Sequence, residues 1–104
     1  MQEKIEKDRL QAAMKLFEDH KVYFHLEVNP GAYYRNAVGH VDSVYVRGDG
    51  PFRLFISMKE PEGLIQIDQV THCEIDPERV FVIGYDDQQR LARMVAISFQ
   101  PFSM

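Results

Sequence analysis

Five short reversals set what this chain can fold into. "NPGA" (29–32), "GDGP" (48–51), "EPEG" (60–63), "DPER" (76–79) and "DDQQR" (86–90) each combine the Pro, Gly, Asp and Asn residues that turn a backbone. A parallel partner strand needs a crossover of about a dozen residues or more. No connection here is that long, so the segments between the reversals pair antiparallel.

Those segments alternate with a period of 2. Val22, Phe24, Leu26 and Val28 point one way, and Tyr23, His25 and Glu27 the other. A second extended stretch covers 38–47, and "FRLFISMK" sets Phe52, Leu54, Ile56 and Met58 on one face. "LIQIDQVTHCEI" is long enough for one bent strand or two short ones, and "VFVIGY" with "LARMVAISFQ" makes a final pair. The expected sheet has about six strands and forms a curved sheet or a small open barrel. Gly84 in "VIGYD" marks a bulge or the close approach of another backbone.

Before residue 21 the period is different. Over residues 2–20, Ile5, Ala12, Ala13, Leu16 and Phe17 make a broad apolar stripe, widened by Leu10 and Met14. The segment is rich in helix formers, with acidic residues near its start and His20-Lys21 near its end. The expectation is an α+β domain spanning 1–104, a helix over about 2–20 packed on an antiparallel sheet over about 21–102.

Composition excludes several functions. The formal net charge is -4, with no basic cluster to contact phosphates, so nucleic acid is not an expected partner. The single cysteine, Cys73, allows neither an internal disulfide nor a multi-cysteine zinc site. No apolar run reaches the ~20 residues of a membrane span, and the charged "MQEKIEKDRL" does not read as a secretory signal. A cytoplasmic protein without membrane contact is the simplest reading.

In order and spacing, "VYFHLE…GAY", "GDGPFR", "THCEID" and "GYDDQQRLARMVAISFQPF" make the chain resemble the YojF-like family of small bacillus-type proteins. The resemblance runs from about Val22 to Phe102. It implies a helix-plus-antiparallel-sheet fold, no assigned activity, and an association with low-molecular-weight thiol metabolism through a neighbouring zinc-dependent deacetylase. The chain departs from the expected pattern at Gly84-Tyr85-Asp86, where relatives are expected to carry Gly-His-Asp.

Few residues offer chemistry. His25 and Glu27 share a strand face, as do His72 and Glu74, and two such strands side by side would assemble a metal or proton-transfer site. The simpler account is the polar side of a one-sided sheet, so neither a metal nor a cofactor is expected. Cys73 falls opposite His72 in the alternation and reads as a buried thiol. "GAYYRN" reads as a loop whose Tyr33, Tyr34 and Arg35 have the composition of a binding hot spot.

The leading expectation is a non-catalytic domain that binds a protein or small ligand, accessory to thiol metabolism. Alternatives are a metal- or cofactor-dependent enzyme using His25, Glu27, His72 and Glu74, and a flavin-binding barrel. A homodimer is also expected, through outward Tyr23, Phe55, Ile65 and Tyr85.

Overall fold

The computed structural model describes all 104 residues. Its elements in chain order are β1 (Glu3–Lys4), α1 (Lys7–Lys15), β2 (Lys21–Val28), β3 (Ala32–Arg47), β4 (Phe52–Lys59), β5 (Gly63–Val70), β6 (His72–Ile75), β7 (Arg79–Tyr85) and β8 (Leu91–Ser98). All strands belong to one antiparallel sheet of order β1-β6-β7-β8-β2-β3-β4-β5.

The sheet has eight strands where about six were expected. The extra two come from β1 and from the break of residues 63–75 into β5 and β6. At that break Gln69 takes a left-handed φ of 57°, and the Thr71 N–H crosses to the Ile83 carbonyl at 2.9 Å. One bent stretch therefore pairs with β4 before the break and with β7 after it, which curls the sheet into a half-barrel. Gly84 makes the crossing possible, since a Cβ there would lie 2.4 Å from the Gln69 carbonyl oxygen. It also marks a register shift in the β7–β8 ladder, so both readings of this glycine hold.

The helix has nine residues, far fewer than the stripe over 2–20 suggests. Glu6 ends it at the front by accepting the N–H groups of Asp8 and Arg9, and β1 before it pairs with β6. At the back Asp19 turns left-handed (φ 65°) and donates its N–H to the Val41 carbonyl at 2.8 Å. Leu10, Met14 and Phe17 are buried, but Leu16 is 67% exposed. The stripe is thus narrower than the sequence suggests, and Leu16 lies off it.

The helix also seals an edge. Residues 41–47 of β3 pair with β4 on one side and outrun β2 on the other. There the Gln11 amide donates to the Val44 carbonyl (2.9 Å) and accepts the Val46 N–H (2.8 Å), while Glu18 accepts the Val44 N–H (3.1 Å). An open strand edge is a pairing hazard, and these side chains remove it.

The concave face carries a cluster of 17 buried apolar residues drawn from the N-terminal segment and the strands. Each fully buried large side chain contributes roughly 1.5–3 kcal/mol. Of the residues expected to form an outward apolar patch, Ile65 instead packs against this core, while Tyr23, Phe55 and Tyr85 are half-buried. No helix is long and apolar enough to cross a membrane.

Candidate functional site

His25 is only 4% exposed, so it does not sit on a wet face. Opposite Phe24 and His25 the ladder shifts register, because Asn36 is an extra, left-handed residue (φ 65°) in β3. Phe24 enters the core, and His25 lies on the convex side beneath the C-terminal tail, 6.3 Å from the Phe102 ring and 5.6 Å from Tyr33. Its two nitrogens are both engaged. Arg35 Nε, which can only donate, points at Nδ1 at 3.3 Å, so Nε2 carries the hydrogen donated to Glu27 at 2.9 Å. The bonds from His25 and Asn29 hold the Glu27 carboxyl below its ordinary value.

The tail is latched by the same segment. The Asn36 side chain donates to the Phe102 carbonyl (2.9 Å) and accepts the Phe102 N–H (2.8 Å), and Arg35 donates to the Ser103 carbonyl (2.6 Å). The Arg79 guanidinium lies 5.3 Å from the Phe102 ring centroid. Arg35 thus has a structural assignment in addition to any role in binding.

"GAYYRN" is strand rather than loop, because β3 begins at Ala32. Alternation therefore divides the trio. Tyr33 leans on His25, while Tyr34 pairs across from Leu26; both tyrosines are exposed. They do not present one patch.

The two His-x-Glu pairs share a face but are not adjacent. The row from His25 runs through Ala96 and Phe81 to Glu74, and the row from Glu27 through Met94 and Ile83 to His72. Three strand spacings of about 4.8 Å separate them, roughly 14 Å, too far for one ion to take ligands from both. His72 bonds Thr71 Oγ1 at 2.7 Å and meets the Tyr85 ring edge-on, while Glu74 lies 3.8 Å from the terminal amine. Cys73 turns into the core, where burial pushes its thiol up to about 11.

A concave, largely apolar feature is on the other face. Where α1 does not reach, the half-barrel leaves a groove of about 510 Å³, walled by Leu26 and Val28 of β2, Ile65 and Ile67 of β5, and Arg93 and Val95 of β8. The β2 wall was legible from its alternation, whereas Ile65 of β5 was expected on the outward face and lies instead on the groove lining. That β5 would stand across from β2 and β8 depends on the bend at Gln69–Thr71, which no local pattern announces.

Residues 4–102 match the family described as "Protein of unknown function (DUF1806)". The chain is 30% identical over 113 aligned positions to the uncharacterized protein YojF of Bacillus subtilis (strain 168), covering 94% of this chain and 96% of that one. The crystal structure of Bacillus subtilis YojF matches it with a TM-score of 0.88 at 30% identity, over 99% of this chain and 98% of that chain.

Proposed function

We propose that this chain, which belongs to the DUF1806 family, is a non-catalytic domain that binds a small ligand in the concave groove of its curled sheet. The observation that carries the reading is the groove itself. Its volume of about 510 Å³ falls within the roughly 300–1,000 Å³ of small-molecule sites. Most of its lining residues are apolar, and Glu27, Gln66, Asp68 and Arg93 supply polar groups at its borders. Apolar surface left in a concavity forgoes burial energy, so a ligand is the natural completion of the fold.

The enzyme reading requires His25, Glu27, His72 and Glu74 to converge, and three strand spacings keep the pairs apart. An accessory role in cytoplasmic thiol metabolism, which the family resemblance implies, suits a domain that holds a ligand without transforming it. A two-fold dimer through the convex aromatics Tyr23, Phe55 and Tyr85 belongs to the same proposal. Light scattering showing twice the 12.2 kDa of the chain would support it, and a persistent monomer would remove it.

The groove is tested with Nile red, a neutral apolar dye. Saturable one-to-one enhancement is expected for the wild type, and its loss is expected in Ile65→Glu that retains its circular dichroism. A wild type that does not bind the dye saturably, or an Ile65→Glu variant that binds it equally well, rejects the reading.

A further inference from the structure

We infer that the ligand of this groove is an amphipathic monoanion, an apolar chain ending in a carboxylate, with the carboxylate on Arg93 and the chain along Leu26, Ile65, Ile67 and Val95. The inference rests on the groove being a ligand site, and it adds the chemical class.

Arg93 lies on the concave face of β8, with Val28 and Gly84 as its partners on either side. Its stem runs over Gly84, where a Cβ would come 2.9 Å from Cγ and 3.0 Å from Nη1. Nη1 donates to the Gln69 carbonyl at 3.3 Å, which fixes the guanidinium at the crossing and leaves most of its five donors free. No carboxylate pairs with it, although the chain has more acidic than basic residues.

The two acidic residues that border the groove are engaged elsewhere. Glu27 holds His25 and Asn29 on the convex side, and Asp68 takes the Gln66 amide at 3.0 Å and lies 3.9 Å from Arg53. A half-buried guanidinium with free donors and apolar walls beside it is complementary to a carboxylate on an apolar body. It is the sole cation on the lining, so one negative charge suffices and a dianion would lack a second partner.

The test compares octanoate with 1-octanol, which share a chain and differ in charge, by chemical-shift titration of the labelled protein. In the wild type, octanoate is expected to bind about tenfold more tightly or better, the effect of a charge-assisted hydrogen bond. Shifts should map to β2, β5 and β8. Arg93→Gln should reduce octanoate to the affinity of octanol. Val28→Glu, at an exposed position directly across from Arg93, should do the same by supplying an internal carboxylate, and it keeps the test open if Arg93→Gln unfolds.

Equal affinity of the two compounds for the wild type, or an octanoate preference that survives in both variants, overturns the charge assignment while the groove stands. Failure of both compounds to bind the wild type overturns the groove reading and this inference with it. Shifts confined to the convex face overturn the placement.

Discussion

The two ends of the curled sheet begin from the same apolar alternation and are finished differently. At one end Leu10, Met14 and Phe17 enter the concavity and Gln11 and Glu18 seal the β3 edge, so apolar and polar groups are both satisfied within the chain. At the other end Ile65, Ile67, Leu26 and Val28 line an open groove with one unpaired guanidinium. Strand alternation says which side is apolar; what covers that side decides whether it serves stability or binding.

The sealed end should be the more sensitive to substitution, and Phe17 most of all. Its ring stacks on Phe99 at 4.4 Å and is almost fully buried. Phe17→Ala should cost about 3–5 kcal/mol in denaturant unfolding, through lost transfer energy and the cavity left behind. Leu16→Asp, one residue earlier but exposed, should stay within about 0.5 kcal/mol. Comparable losses for the two would mean that the helix is rotated from the orientation described.

Gln11→Ala should cost less, about 1–3 kcal/mol, because it strands the Val46 N–H and the Val44 carbonyl while removing little apolar area. Urea midpoints measure it, and a raised self-association of this variant would show the edge reopening. Val28→Glu, at the rim of the open end, should stay within about 0.5 kcal/mol. If it proves as costly as Gln11→Ala, the groove is part of the structural core and the contrast between the two ends fails.

Much of the sealed end was legible. The apolar period over residues 5–17 announced a docked helix, and the five turns announced antiparallel pairing. Leu16 was misplaced because the stripe was drawn too broad: at 3.6 residues per turn it stands about 120° around the helix from Leu10, off the line through Leu10, Met14 and Phe17 that is buried. The candidate site was less legible. His25 and Glu27 do face one way, but the burial of His25 comes from Phe102, 77 positions further along, through two side-chain bonds made by Asn36. Alternation also placed both His-x-Glu pairs on one face correctly, yet adjacency is a property of strand order, and β7 and β8 intervene. The groove was invisible for the same reason, since its walls come from strands that the bend at Gln69–Thr71 brings face to face.

A pH-dependent effect is expected at Glu27, which borders the open groove while its carboxylate serves the convex side. Hydrogen bonds from His25 and then Asn29 lower its pKa from the ordinary 4.5. A carboxylate whose folded value is depressed adds stability that is present above its unfolded value and is lost as pH falls through the folded one. With a quarter of the side chain in solvent, the contribution should be about 1 kcal/mol. Glu27→Gln should therefore be less stable than the wild type at pH 7, and the gap should close as pH falls below 4.5. Parallel thermal scans of the two proteins from pH 7 to pH 3 measure the gap. A gap of constant size across that range would mean that the His25–Glu27 bond does not form. The octanoate preference of the groove should be the same in Glu27→Gln, since this carboxylate does not reach Arg93. A preference that rises in the variant would show Glu27 competing for that guanidinium, and would join the two faces that the structure keeps separate.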